Sequence, residues 1–220
     1  MFVNILGGDG CGKSTQIDRL LAWARDERGI PARSMAKRDI FDAERVPECA
    51  FFGVPYENLA HEFLPQMRDE SRALWLIYMN AVLIRALPPR SGELLLHDGY
   101  WQKHYATEAA MGLDPAWLGA VCSFFPEPDL TLVLDMDPRA IVARGHVHRP
   151  YESGCDWSCS DGAFISHQDK VRMHLRTLAD ARGYDIIDAD RSADMVFLDI
   201  RQRLEPLLHR VDTEASGLDH

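Results

Sequence analysis

The segment Gly7-Gly8-Asp9-Gly10-Cys11-Gly12-Lys13-Ser14-Thr15 follows directly on an apolar run, Phe2-Val3-Asn4-Ile5-Leu6. It satisfies the pattern G-x-x-x-x-G-K-[ST] in the setting that pattern requires, a buried strand before it and an amphipathic helix after it. A loop of this kind turns its backbone N–H groups inward around a polyphosphate, and the positive end of the following helix adds to the field. The spacing assigns Lys13 to the β- and γ-phosphates and the Ser14 hydroxyl to a Mg²⁺ ion. A chance glycine-rich turn would not carry strand, loop and helix in register. The expected ligand is ATP or a related triphosphate.

The rest of the chain alternates strands with helices. Strands are expected at 2–6, 33–36, 94–98, 129–135 and 184–188, and helices at 13–28, 66–87, 101–111, 115–123, 138–144, 164–181 and 193–209. Gly29 ends the first helix, Pro88-Pro89 stops the second, and Pro138 suits the first turn of another. Residues 40–65 read as irregular with short helical pieces, 145–162 as a polar lid loop, and the tail beyond 211 as frayed. The alternation predicts one α/β domain over residues 1–220. Its parallel sheet of about five strands is covered on both faces, with the lid over about 144–163. Ligands of such sheets collect beyond the C-terminal strand ends, which gathers the phosphate loop, Arg38, Asp98, Asp135 and the loop 188–191 on one rim.

Composition narrows the partners. A net charge of −10 over 220 residues argues against general nucleic-acid binding, which calls for a basic face. No apolar stretch is long enough to span a membrane, and no basic n-region with a cleavage site opens the chain, so a cytoplasmic protein is expected. Five cysteines in dissimilar settings do not form a disulfide framework.

Asp98 ends an apolar strand and is the expected acidic partner of Mg²⁺, acting with Ser14; the competing reading is a helix cap. Asp135 and Asp137 also end strands, and Asp137, directly before Pro138, fits capping better. Arg144 and Arg149 flank the lid sequence Gly-His-Val-His. They suit a cationic lid that closes over a phosphoryl group in transfer. His146, His148, Cys155 and Cys159 admit a zinc reading, against which stands the lack of a second cysteine pair. Trp75 and Tyr78 on the long helix, with Tyr100 and Trp101, are candidates to flank a flat base; Arg72 and Arg85 read as surface cations, of which Arg72 can turn toward the acceptor cleft. Core packing is the commoner fate of such aromatics.

These motifs resemble the thymidylate kinase family of nucleoside monophosphate kinases. The loop Gly7–Thr15 with Gln16 is similar to that family's G-x-[DE]-G-x-G-K-[ST]-T-Q, and Asp98-Gly99-Tyr100 stands where it has Asp-Arg-[Tyr/His]. Residues 128–135 are similar to its P-D-L-T-L-x-L-D strand. Phe164 to Leu178 resembles the helix after its lid, and Ile187-Asp188-Ala189 its I-D-A turn beside adenine. The resemblance implies an ATP- and Mg²⁺-dependent kinase, active as a homodimer, with Asp9 facing the acceptor sugar. Gly10 after the acidic residue goes, in bacterial members, with catalytic arginines in the lid, here Arg144 and Arg149.

The acceptor side diverges. Gly99 replaces a phosphate-directed arginine, Tyr78-Met79-Asn80-Ala81 replaces an Ala-[Asp/Asn]-Arg run, and the segment after the second strand is reduced to Arg38-Asp39-Ile40. At roughly 1.5–3 kcal/mol per charged hydrogen bond, two such losses cost several orders of magnitude in acceptor binding unless replaced. Asp9, Arg38, Arg72, Tyr78, Asn80, Tyr100 and Lys103 are the candidates to line the acceptor. The acceptor expected is thymidylate or a modified nucleotide. A kinase of a hydroxyl acceptor, deoxynucleoside or metabolite, is the alternative, though the Glu-Arg-Ser signature of deoxynucleoside kinases is absent. A nucleotide-binding homologue without catalysis is a third reading.

Overall fold

The computed structural model describes residues 1–49, 53 and 55–216, with the side chains of Glu48 and of residues 209–216 left out. Five strands form one parallel sheet: β1 (Phe2–Gly7), β2 (Ala32–Ala36), β3 (Leu94–Asp98), β4 (Leu130–Asp135) and β5 (Asp185–Asp188), in the order β2-β3-β1-β4-β5. Eight α-helices flank it: α1 (Lys13–Ala22), α2 (Tyr56–Asn58), α3 (Asp69–Ala86), α4 (Trp101–Ala110), α5 (Pro115–Val121), α6 (Pro138–Ala143), α7 (Asp161–Arg182) and α8 (Ala193–Ser216). This is the doubly covered α/β fold that the alternation of strands and helices predicts. The last helix continues past residue 209, its expected end, to Ser216; residues 217–220 lie outside the described residues.

The sheet is apolar on both faces because both are covered. Val3 and Ile5 of β1 pack with Leu20 of α1 and with Ile200 and Leu204 of α8. Phe2 faces the other way, into the cluster of α3 and the aromatic residues Tyr100, Trp101 and Phe125. Each such side chain, fully buried, contributes on the order of 1.5–3 kcal/mol. The polar exception in β1 has a positional role. Asn4 is fully buried; its Oδ1 accepts the Tyr100 N–H (3.2 Å) and its Nδ2 donates to Gln102 Oε1 (3.0 Å). One strand residue thereby fixes the start of α4, and with it the two residues that follow, Lys103 and His104.

The parallel register aligns the strand ends. Ile5 is opposite Asp98, and Ala36 is opposite Asp98 from the other side. The chain therefore leaves β1, β2 and β3 at one level, which sets the phosphate loop, the Lys37-Arg38 turn and Asp98 around one cleft.

Candidate active site

The phosphate loop joins β1 to α1 as its sequence requires. Gly10 has φ +79°, a conformation that L side chains rarely adopt. A Cβ there would also lie 2.5 Å from the Ile141 side chain and 3.0 Å from the His146 ring. Glycine at this position thus lets α6 and the lid pack directly on the loop. Lys13 Nζ donates to the carbonyls of Gly7 (3.2 Å) and Gly8 (2.9 Å), so its ammonium is folded back over the loop. Burial works against the Lys13 charge, but Cys11, Asp98, Asp9 and Glu152 outweigh it and hold the ammonium protonated. Cys11 itself is buried, and burial pushes its thiol up, above its ordinary range.

Ser14 Oγ donates to Asp98 Oδ2 (3.3 Å), joining the first turn of α1 to the end of β3. A hydroxyl and a carboxylate oxygen at this separation, beside a phosphate loop, form a hard-oxygen donor pair suited to Mg²⁺. Among the described residues no three His, Cys, Asp or Glu side chains are grouped to hold a metal ion. The lid histidines have separate partners: His146 Nε2 meets Glu152 (3.0 Å), and His148 Nε2 meets Asp161 (2.9 Å) while its ring stacks on Phe164.

A cleft of about 300 Å³ opens beside the loop. It brings together Asp9, Gly10, Lys13, Ser14, Arg38, Asp98, Lys103 and Arg149 from the sequence-predicted set, and adds Lys37, Tyr56, His104 and Glu152. Its inner end is a narrower recess of about 60 Å³, where Ala60, Leu64 and Tyr151 join Asp9, Lys37, Lys103, His104 and Arg149. The Asp39 carboxylate accepts the Ala36 N–H (2.9 Å) and holds the turn that presents Lys37 and Arg38. Lys37 also lies over the Tyr151 ring, 5.5 Å from its centre.

Lys103 Nζ donates to Asp9 Oδ2 at 2.9 Å, across the cleft. Burial works to raise the Asp9 carboxyl, but Lys103 and Lys13 override it, and it stays well below the usual carboxylate range. Burial also lowers Lys103, against the pull of Asp9. Next to it His104 is kept neutral, chiefly by burial and then by Lys37, Lys103 and His97. The sequence reading missed Lys37, His104, Tyr56 and Glu152. Only the pair Lys37-Arg38 at a strand end carried a signal that would have found one of them.

Several candidates stand elsewhere. Tyr100 is fully buried among Phe2, His97 and Phe125, part of the core and not of the cleft. Asn80 is equally buried, and its Nδ2 donates to the Leu76 carbonyl one turn earlier in α3 (2.9 Å). Tyr78 lies on the outer face of α3, 42% exposed and tilted against Trp75. Arg72 forms a two-pronged ion pair with buried Glu108 of α4, with Nε–Oε1 and Nη2–Oε2 both 2.9 Å. Glu108 also accepts from the Tyr151 hydroxyl (3.1 Å). Arg72 thus anchors the lid turn Tyr151–Ser153 to α3 and α4, and does not line the cleft.

Arg144, at the C-terminal end of α6, turns to Asp190 (3.3 Å) and Met136, away from Arg149 and toward the 188–191 loop. That loop is tied to the sheet by the Ala189 N–H, which donates to the Asp135 carbonyl (2.8 Å). The Asp188 carboxylate accepts the Asp190 N–H (3.0 Å). The Asp135 carboxylate is taken by Arg172 (2.6 and 2.8 Å), and Asp137 caps α6 through the Arg139 N–H (2.8 Å).

An all-parallel sheet of this order, with the glycine-rich loop after its central strand and an acid at the end of the neighbouring one, defines a P-loop α/β fold of the nucleoside monophosphate kinase type. No protein-family model matches the chain. It is 29% identical over 219 residues to a thymidylate kinase of Cutibacterium acnes, covering 96% of this chain and 98% of that protein. Probable thymidylate kinases of Pyrobaculum calidifontis (29% over 210 residues; 91% and 93% covered) and Pyrococcus abyssi (27% over 215; 90% and 93%) are similar to it. The chain is thus similar over nearly its whole length to proteins named as thymidylate kinases. No helix among the described residues is long and apolar enough to cross a membrane.

Proposed function

We propose that this protein is a phosphotransferase that moves the γ-phosphoryl group of ATP, with Mg²⁺, to a nucleoside monophosphate, thymidylate or a modified nucleotide. The observation that carries this reading is the charge on the wall facing the phosphate loop. Lys37, Arg38, Lys103 and Arg149 all line the one cleft that Lys13, Ser14 and Asp98 enter. Arg149 would serve the transferring group with any acceptor, but three further cations facing the loop suit an acceptor that carries a phosphate of its own better than an uncharged hydroxyl. The family names of the relatives support the same class.

In this reading the loop N–H groups and Lys13 hold the donor phosphates, and Lys13 swings from the Gly7 and Gly8 carbonyls to do so. Ser14 and Asp98 would hold Mg²⁺, whose charge offsets that of the donor phosphates. Lys37, Arg38 and Lys103 seat the acceptor phosphate in line with the donor. Arg149 meets the negative charge that grows on the transferring group. Arg144, beside Asp188 and Ala189, serves the donor base. The whole chain acts as one domain with a lid over about 144–163. It works in the cytoplasm as a homodimer, for which the exposed Leu74 and Tyr78 on α3 offer an apolar face.

An ATP-consumption screen over nucleosides, nucleoside monophosphates and modified nucleotides tests the proposal. Turnover confined to monophosphates is the expected result. Turnover confined to nucleosides or other hydroxyl compounds moves the assignment to the alternative kinase class. Tight ATP binding with no acceptor used makes the chain a non-catalytic homologue.

A further inference from the structure

Gln168 of α7 is almost fully buried and uses its amide in three directions. Its Oε1 accepts the Asp9 N–H at 3.1 Å. Its Nε2 donates to Asp9 Oδ2 at 3.2 Å and to the Glu152 carbonyl at 2.8 Å. The orientation of the amide follows from its neighbours: reversed, it would set its oxygen against two acceptors and its NH₂ against an N–H. Gly8 backs directly on it, since a Cβ there would lie 3.2 Å from Oε1. One side chain therefore grips the phosphate loop at two atoms and the lid turn at a third.

The consequence is at Asp9. Its Oδ2 is occupied twice, by Gln168 and by Lys103. With Oδ2 so held, the carboxylate has one orientation, and Oδ1 is the oxygen left for an acceptor hydroxyl. The same amide fixes the backbone of Glu152, which sits in the turn whose Tyr151 is anchored by Glu108.

We propose that Gln168 is a positioning residue, whose amide ties the Asp9 carboxylate to the lid turn so that acceptor recognition and lid closure share one register. It touches no substrate; it acts through Asp9 and Glu152. The inference deepens the phosphotransferase reading and rests on it for the kinetic part of its test.

Gln168→Met keeps length and approximate volume and removes all three bonds. With ATP and the best monophosphate of the screen above, KM for the acceptor should rise about tenfold while ATP affinity, measured by direct binding, stays within about twofold. Trypsin cleavage after Arg144, in the lid, should quicken several-fold. Gln168→Glu, which retains only the bond from the Asp9 N–H, should reproduce both effects and serves if the methionine variant folds poorly. A lowered Tm with unchanged acceptor KM and unchanged cleavage would make Gln168 a packing residue and overturn the proposal. An equal loss of ATP affinity would overturn it as well. If the unsubstituted protein uses no acceptor, the phosphotransferase reading fails by itself. The cleavage comparison then still decides whether Gln168 ties the lid to the loop.

Discussion

At the residue scale the proposed function assigns separate duties to a short list of atoms beside the phosphate loop. Among the described residues the only hydrogen bonds of the Lys13 ammonium are to the Gly7 and Gly8 carbonyls, and its side chain lines the cleft rather than the apolar core, so Lys13→Ala removes a cation without opening a core cavity. Its expected effect is a fall in kcat of at least about 10²-fold with Tm nearly unchanged, read by steady-state kinetics and thermal melting. Near-normal turnover would end the assigned donor role. Gly99 is the more instructive position. By the resemblance drawn from the sequence it replaces a phosphate-directed arginine, and the simple expectation is that arginine there would improve a monophosphate acceptor. The structure argues otherwise: φ is +69°, and a Cβ would come within 3.3 Å of Lys103 Cβ and Cγ. Gly99→Arg should cost about 1–3 kcal/mol of stability and displace Lys103 from Asp9, raising the acceptor KM. A variant with full stability and a lower acceptor KM would show that Lys103 has not taken over that place.

At the element scale the lid is held by a buried polar network. Arg72 of α3 and Glu108 of α4 are 7% and 1% exposed, and Tyr151 of the lid turn closes the triad. Removing one partner strands a charge where water cannot reach it. Arg72→Met should therefore destabilise by about 3–5 kcal/mol, measured by urea denaturation. The double substitution Arg72→Met with Glu108→Leu should recover a large part of that loss. If the single variant loses under about 1 kcal/mol, the pair is not the anchor described. The elements themselves were legible in the chain, because the apolar strand runs, Gly29 beyond the first helix and the prolines around α3 and α6 are local signals. The partners of Arg72 were not. A helix writes its apolar stripe into its sequence, but which carboxylate a buried arginine meets depends on how two helices cross.

At the scale of the whole molecule, acid sensitivity follows from buried imidazoles. Burial pushes His97 down to about 3, and burial, then Lys103, pushes His167 down to about 4. Both values lie below the unfolded value near 6.5, so below that pH the unfolded chain binds more protons. Stability is full above about pH 6.5 and is lost progressively as pH falls toward those folded values. His97 is fully buried in the aromatic cluster with Phe2 and Tyr100. His97→Leu should thus flatten the fall in stability between about pH 6.5 and about pH 5, by up to about 1.4 kcal/mol per pH unit. Denaturation curves at several pH values check this, and parallel slopes would refute it. The glycine-rich loop, the alternating elements and the acid ending β3 determined the fold and the place of the phosphate loop from sequence alone, since each is a pattern within one short stretch of chain. How the cleft is assembled was decided only by tertiary structure. Lys103 and Arg149, separate candidates in the sequence, meet Lys37 and His104 because the turn after β2, the start of α4 and the lid converge where a parallel sheet brings its strand ends to one level. Tyr100 and Asn80, candidates for the acceptor from sequence, went instead to the core, where burial outweighed any place at the rim.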